Sequence, residues 1–307
     1  MQKLQAAAFG FGLAFLPLIS PCQTTPPPQP GMQMCITGGA SGNVPGCPAT
    51  SGTPSVPGTQ LAPAARDKLM REARLAYYNL HARGLKEFSC QVLPDWDATY
   101  KSLRGDAVGR DQLLPILKKV RFRVLVGATG AASVSHQSDV APPSAAVAAR
   151  VEQSTGGIDQ VVSGFFQTWS LFTFGTFFAE ASGTLQVEEA GDKYRLTEKD
   201  ASTDALVVMN KDLTIEHATV ESPRVTGSMD PIFTATTEGL LLTSFDSKVS
   251  IGEQEPEISV KITYQKVGGY QLPHIVNAAV SMPGGQRVAL PLTFANCQVK
   301  GRQSAQE

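Results

Sequence analysis

The chain has 307 residues with 26 basic and 27 acidic side chains, and its formal net charge is −1. A balance so close to neutral excludes the general attraction to phosphate backbones on which nucleic-acid-binding proteins depend, so we expect no nucleic-acid partner. Residues 1–62 show almost no apolar periodicity, which leaves residues 63–300 as a single expected domain, followed by a short tail over residues 301–307.

The N-terminus has the pattern of a signal peptide over residues 1–22. Lys3 and the free amine form a thin positive region, and an apolar stretch broken by Pro17 follows from Ala6 to Ile19. This stretch is shorter than the roughly 20 residues that a membrane-spanning helix needs. A buried helix is the alternative, but no amphipathic stripe is visible. The sequence therefore predicts export to the periplasm or the outer membrane.

Cys22, at the end of the apolar stretch, raises the question of a lipid anchor. A peptidase that cuts before Cys22 would leave it as a lipid-bearing first residue and would attach the protein to a membrane. The preceding residues Ile19, Ser20 and Pro21 depart from the small residue that such cleavage usually needs. The sequence leaves lipidation of Cys22 open.

The cysteines support export independently. Without Cys22, the even set of Cys35, Cys47, Cys90 and Cys297 remains, which suits an oxidising compartment. Of the three connectivities, we favour Cys35–Cys47, which closes a small loop, and Cys90–Cys297, which joins two strand-like segments. Four buried free thiols are the alternative.

Residues 23–62 have the composition of a linker. They are rich in Pro, Gly, Ser and Thr and carry few charges. A flexible tether between an export signal or lipid and a folded domain is a natural use of such a segment.

Folding signals begin at residue 63. Leu69, Ala73 and Ala76 recur at three- and four-residue spacing. They predict a helix over residues 64–83, with Gly84 at its end. The elements predicted next are a strand over Glu87–Leu93, a helix within Asp97–Lys119 interrupted by Gly105 and Gly109, and a strand over Arg121–Val126.

The stretch from Ser144 to Phe178 is predicted to be helical, and its second half is unusual. Residues 161–178 include six phenylalanines and Trp169 but no charged side chain. The polar interruptions and the absence of basic flanks argue against a membrane span. We therefore expect a helix that is buried by a sheet.

After Ala181 the apolar residues follow a period of two, which predicts short strands separated by tight turns. The strands are marked by Leu185/Val187, Tyr194/Leu196, Leu213/Ile215, Ile258/Val260/Ile262/Tyr264 and Val288/Leu290/Leu292/Phe294. Consecutive strands of this kind form an antiparallel meander, so the expected fold class is α+β.

The one motif with a catalytic appearance is Gly127-x-x-Gly130, which follows an apolar strand. A dinucleotide-binding turn needs a helix directly afterwards, and the residues from Ser133 to Pro143 are not helical in pattern. A hairpin turn is the better interpretation, and no cofactor is expected.

The four histidines do not form a recognisable metal or catalytic motif. His81, His136, His217 and His274 are scattered, and no serine or cysteine has a local base to activate it. The sequence therefore predicts no metal site and no enzyme. A hydrolase site assembled in three dimensions would most readily involve His136 or His274.

The C-terminal half resembles a known family. The segments that carry the likeness are Lys193–Thr197, Val207–Ile215, Gly239–Thr243, Ile262–Pro273 and Leu292–Val299, together with Leu85–Cys90 after the first helix. In this order they are similar to bacterial outer-membrane lipoprotein carriers, the LolA/LolB-like proteins. The long central insertion, the linker and the disulfides are not hallmarks of those carriers.

The resemblance implies a half-barrel, an unclosed antiparallel sheet with helices on its concave face. It also implies an apolar cavity for lipid or lipoprotein acyl chains. The residues expected to line it are Phe165, Phe166, Trp169, Phe172 and Phe174 on the helix and Ile258, Val260, Ile262 and Tyr264 on a strand. The expected function is non-enzymatic binding or transfer of an apolar ligand in the cell envelope. The alternative is an envelope structural or interaction module in which the same residues form a solid core.

Overall fold

The computed structural model describes residues 58–102, 107–175, 177–178, 184–199, 203–223, 225–251, 255–281 and 285–301. Their strands form one antiparallel 13-stranded sheet with the order β1-β5-β6-β7-β8-β9-β10-β11-β12-β13-β2-β3-β4. Its end strands β1 and β4 do not pair with each other, so the sheet is unclosed. The expected α+β class with an unclosed antiparallel sheet is confirmed.

The helices are α1 (Pro63–Ala76), α2 (Trp96–Ser102), α3 (Ala107–Leu117) and α4 (Ala145–Thr173). The strands are β1 (Thr59–Gln60), β2 (Leu85–Pro94), β3 (Arg121–Gly127), β4 (Ala132–Gln137), β5 (Gln186–Ala190), β6 (Lys193–Lys199), β7 (Asp204–Asn210), β8 (Ile215–Glu221), β9 (Val225–Thr236), β10 (Gly239–Ile251), β11 (Glu257–Val267), β12 (Tyr270–Ser281) and β13 (Arg287–Gly301).

The first helix is shorter than its periodicity predicts. It was expected over residues 64–83, but α1 ends at Ala76 because the following backbone bonds to distant segments. Tyr78 N donates to Leu240 O at 3.0 Å, and Leu80 N donates to Thr173 O at 2.7 Å. These long-range bonds replace the i to i−4 bonds that would have continued the helix.

The turn between β3 and β4 is the hairpin expected at Gly127-x-x-Gly130. Gly127 N donates to Ala131 O at 3.0 Å, and Gly130 adopts a φ of 80°. A Cβ at Gly130 would lie 2.4 Å from Ser170 Cβ on α4. Glycine is needed at Gly130 both for this conformation and for the close approach of α4 to the turn.

The predicted disulfide between Cys90 and Cys297 is present and joins β2 to β13 across a sequence separation of 207. Beside it, β13 carries a bulge: Ala295 pairs with Gln91 and Gln298 with Ser89, so β13 has one extra residue. The other predicted pair, Cys35–Cys47, lies outside the described residues.

The signal peptide and the lipid-anchor residue Cys22 also lie outside the described residues, together with most of the predicted linker. The sheet begins within the last part of that linker, because Thr59 and Gln60 form β1 and pair with Glu189 and Glu188 of β5.

The core lies on one face of the sheet, which we call the inner face. On β11, Ile258, Val260 and Ile262 are buried while Glu257, Lys261 and Thr263 are exposed, as period-two alternation requires. Helix α4 packs on the inner face, and the opposite side is the outer face.

Candidate functional site

Several polar groups of helix α4 form their hydrogen bonds within the helix itself, which suits its apolar surroundings. Its first turn is capped by Ser144, whose hydroxyl accepts from Val147 N at 3.3 Å. Further along, the hydroxyl of Ser170 donates to Gln167 O at 3.1 Å, and that of Thr173 donates to Trp169 O at 3.0 Å. Because these buried hydroxyls bond to carbonyls of their own helix, they add no unsatisfied polar group to the core.

The middle of α4 is joined to β2 and β13 by aromatic rings. The side chains of Phe165, Phe166 and Trp169 are fully buried. Phe166 meets Phe88 of β2 at a centroid distance of 5.8 Å and Phe294 of β13 at 5.4 Å. These are normal packing distances for edge-to-face rings, so this part of the inner face is filled.

The C-terminal end of α4 contacts a different part of the inner face, near β9. Phe172 lies 5.3 Å from Phe233 of β9 and 6.4 Å from Tyr77, which directly follows α1. Phe174 caps the helix and lies 6.1 Å from Trp169. All five aromatic residues predicted on the helix therefore belong to one continuous buried cluster.

One polar link runs through this cluster. Trp169 Nε1 donates to the Tyr264 hydroxyl at 3.0 Å, and that hydroxyl donates a short hydrogen bond to Leu242 O on β10. Burial raises the pKa of Tyr264 well above its usual range, so its hydroxyl keeps its proton and can serve as the donor.

The predicted strand residues occupy the same face as the helix rings. Ile258, Val260 and Ile262 are buried in the same core as α4, and Tyr264 touches α4 directly. The sequence did not single out the ring partners Phe88 and Phe294 as site residues. The available signal was their position on the inward side of strands that also carry Cys90 and Leu292.

A second polar link joins the N-terminal half of α4 to strand β4. His136 Nδ1 lies 2.8 Å from Asp159 Oδ2. Asp159 Oδ1 is buried and has no hydrogen-bond partner among the described residues. Burial raises the pKa of Asp159, and the nearby His136 opposes this shift. The sequence drew attention to His136 but not to Asp159, which is distant along the chain.

The His136–Asp159 pair lacks a neighbouring nucleophile. Ser135 is adjacent in sequence, but consecutive strand residues point to opposite faces. Within the part of the chain that the structure describes, no hydroxyl is hydrogen-bonded to His136, and His274 has no side-chain hydrogen bond. The described residues also contain no group of three or more His, Cys, Asp and Glu side chains that could hold a metal ion.

The outer face carries a groove on strands β13, β2, β3 and β4. It consists of two adjoining hollows of about 710 Å³ and 660 Å³, both open to solvent. The hollows share Ser89, Arg123, Ser135 and Gln298, and we call this continuous surface the outer groove. Its lining mixes polar and apolar surface, and it lies on the opposite side of the sheet from α4.

Comparison with known proteins adds no relative. No protein family, curated protein or solved structure matches the chain. Among the described ranges, no helix has both the length and the apolar character needed to cross a bilayer.

Proposed function

We propose that the protein is an exported, non-enzymatic envelope protein that binds or transfers an apolar ligand between α4 and the inner face of the sheet. The ligand class is lipid or lipoprotein acyl chains, in the manner of the LolA/LolB-like carriers. The observation that carries this proposal is the 29-residue helix α4. Its second half is uncharged and packs through aromatic rings against strands far apart in the sheet.

The contacts along α4 support a half-barrel with this helix on its concave side. Asp159 reaches β4, Phe166 reaches β2 and β13, and Phe172 reaches β9. In a flat sheet, the seven strand-to-strand steps from β4 to β9 would cover about 34 Å at about 4.8 Å each. The helix rises only about 20 Å from Asp159 to Phe172. A sheet that curves round the helix brings both sets of strands within reach.

Two bulges in the middle of the sheet favour the same curvature. The register between β9 and β10 shifts at Leu242/Ser244, and that between β11 and β12 shifts at Thr263/Tyr264. A bulge bends and twists the strand that contains it. Both bulges lie beside the hydrogen bond from Tyr264 to Leu242, where α4 rests on the sheet.

The aromatic rings fill the inner face where α4 lies, so an acyl chain can bind there only if α4 moves outward. The Trp169–Tyr264 and His136–Asp159 links would then break. The acyl chain of the ligand would replace the ring–ring contacts with contacts of similar apolar character. A lipid anchor at Cys22 would hold the protein close to the membrane from which the ligand comes.

Brominated stearate tests the proposal because bromine quenches tryptophan fluorescence on contact. The chain has two tryptophans, Trp96 and Trp169. In W96F, Trp169 is the only emitter and should be quenched as brominated stearate is added. In the matched variant W169F, the remaining Trp96 packs against Tyr100 and Phe122 and should keep its emission.

Native mass spectrometry of the full chain with palmitate provides a second measurement. We expect a bound species with the added mass of one acyl ligand. If neither tryptophan is quenched and no acyl-bound species is detected, the carrier proposal is wrong.

The alternative, an envelope interaction module with a solid core, is favoured by one observation. Phe165, Phe166 and Trp169 have no exposed surface. In that case the inner face serves only stability, and partners would bind at the exposed strand edges or the linker. The two functions predict opposite results in the quenching experiment.

A further inference from the structure

The register of the strands determines which side chains are neighbours in the outer groove. Antiparallel pairing places Gln91 beside Arg123 and Arg123 beside Ser135, in one row across β2, β3 and β4. The neighbouring row runs from Gln298 through Ser89 to Leu125. Side chains at these outer positions therefore converge on one surface, which is polar apart from Leu125.

The bulge in β13 adds to this polar surface. Asn296 adopts a φ of 49°, in the left-handed region, and both Asn296 and Gln298 line the groove. The amide of Asn296 donates to Gln91 Oε1 at 3.0 Å, which orients the Gln91 side chain. On the inner side of the same segment, the Cys90–Cys297 disulfide holds β13 against β2.

Arg123 differs from the other basic side chains of the groove. Arg121 is paired with Asp139 at 2.6 Å, and Lys300 is paired with Glu87 at 2.7 Å. Arg123 donates to the neutral hydroxyl of Ser89 at 2.9 Å, and it forms no ion pair within the described ranges. Its positive charge is therefore not neutralised by a neighbouring carboxylate.

We propose that the outer groove binds a small polar carboxylate through the guanidinium of Arg123, with Gln91 and Ser135 as neighbouring hydrogen-bond partners. A guanidinium presents five N–H donors in a planar fork, which matches the two oxygens of a carboxylate. One uncompensated positive charge flanked by neutral amides and hydroxyls suits a single negative charge.

This site is independent of the apolar site, because it lies on the opposite face of the sheet. A ligand held by Arg123 would touch neither α4 nor the aromatic cluster. The two proposals can therefore fail separately.

The test is an NMR titration of the full chain with N-acetylglycine, observing the arginine Nε–Hε signals. We expect a saturable shift of the Arg123 signal and no shift with the neutral N-acetylglycinamide. The variant R123Q should weaken binding by about tenfold or more, because it removes a charge-assisted bidentate contact. The variant R123K keeps the positive charge but loses the planar set of N–H donors, so its affinity should lie between those of the parent chain and R123Q.

K261Q is the matched control, since Lys261 is an exposed cation on the outer side of β11, lies outside the groove and forms no ion pair among the described residues. Its affinity for N-acetylglycine should stay within about threefold of the parent chain. Circular dichroism melts identify any variant that fails to fold, and Arg123 is exposed, so R123Q and R123K should both melt like the parent. Equal losses in K261Q and R123Q, full binding by R123Q, or tighter binding of inorganic phosphate than of N-acetylglycine would each overturn the proposal.

Discussion

Tyr264 lies between the helix and the sheet and satisfies a polar group on each. Its hydroxyl accepts the indole proton of Trp169 and donates to Leu242 O. Substitution Y264F would leave the buried indole N–H and the carbonyl each without this partner. Each unsatisfied buried group costs about 1 to 3 kcal/mol, so with two groups affected we expect the free energy of unfolding to fall by about 2 to 6 kcal/mol.

Urea denaturation followed by circular dichroism measures this loss. Y194F is the matched control, because Tyr194 is half-buried on β6 and its ring, which the substitution keeps, lies 4.0 Å from Lys211 Nζ. The control should change stability by less than about 0.5 kcal/mol. A Y264F variant as stable as the parent would show that the Trp169–Tyr264 link contributes nothing.

Asp159 gives a pH dependence whose sign follows from its burial. Its pKa is raised in the folded chain, so its contribution to stability is fully present below the ordinary carboxyl pKa of about 4 and is lost as pH rises through the raised value. D159N stays neutral at every pH and avoids that loss. We expect D159N to gain stability relative to the parent between pH 4 and pH 7.

Urea midpoints at the two pH values test this expectation. D97N serves as the control, because Asp97 forms an exposed pair with Lys118 and should show no comparable gain. If D159N instead loses stability relative to the parent between pH 4 and pH 7, the contact of the Asp159 carboxylate with His136 outweighs the cost of burying it.

At the scale of elements, the Cys90–Cys297 disulfide joins an early strand, β2, to the last strand, β13. It closes most of the described chain into one loop, with a sequence separation of 207. Chain-entropy estimates for so long a loop give about 5 kcal/mol of stabilisation. The double variant C90A/C297A should lose about that amount, with a larger dependence on urea because its unfolded state is less compact.

The measurement compares oxidised parent, reduced parent and C90A/C297A in urea. The reduced parent and the variant should have similar midpoints, both well below that of the oxidised chain. If all three midpoints coincide, the cross-link does not stabilise the fold.

The sequence predicted those elements whose pattern is local. The hairpin at Gly127–Gly130, the helix that became α4 with its uncharged second half, and the period-two strands were all visible without long-range information. The end of α1 at Ala76 was not visible, because it depends on bonds to Leu240 and Thr173. Turn geometry also changed one strand: Leu213, paired with Ile215 in the predicted alternation, adopts a φ of 70° in the turn before β8.

The site was predicted to a similar extent. Composition and period identified the rings of α4 and the alternating residues of β11 as buried, whereas their role in lining a ligand cavity comes from the resemblance alone and stays a prediction. Their partners Phe88, Phe233 and Phe294 depend on how strands far apart in sequence are placed against the helix, and no local pattern contains that information. Asp159 and Arg123 were missed for the same reason, since each acquires its significance from a neighbour on another element.

At the scale of the whole molecule, the sheet and α4 are attached in different ways. Strands β10, β11 and β12 each have a bonded strand on both sides. Helix α4 keeps its backbone bonds when it leaves the sheet, because those bonds lie within the helix. Lifting α4 from the inner face would break ring contacts, the side-chain links at Tyr264, His136 and Tyr100, and the bond from Leu80 N to Thr173 O, but no strand pairing. Movement of α4 should therefore require less free energy than opening of the central strands.

Hydrogen–deuterium exchange of the full chain compares these two parts directly. If the protein carries apolar ligands, the opening that exposes residues 158–172 to exchange should require less free energy than the opening that exposes residues 257–281. Partial openings expose the weakly attached parts first. Palmitate should then change exchange in residues 158–172 and leave residues 257–281 largely unchanged. A solid-core module predicts the reverse: α4 and the central strands should exchange together in the global unfolding, with no response to palmitate. The exchange of α4 relative to β11 and β12 thus distinguishes a mobile helix over a binding surface from a helix that completes the core.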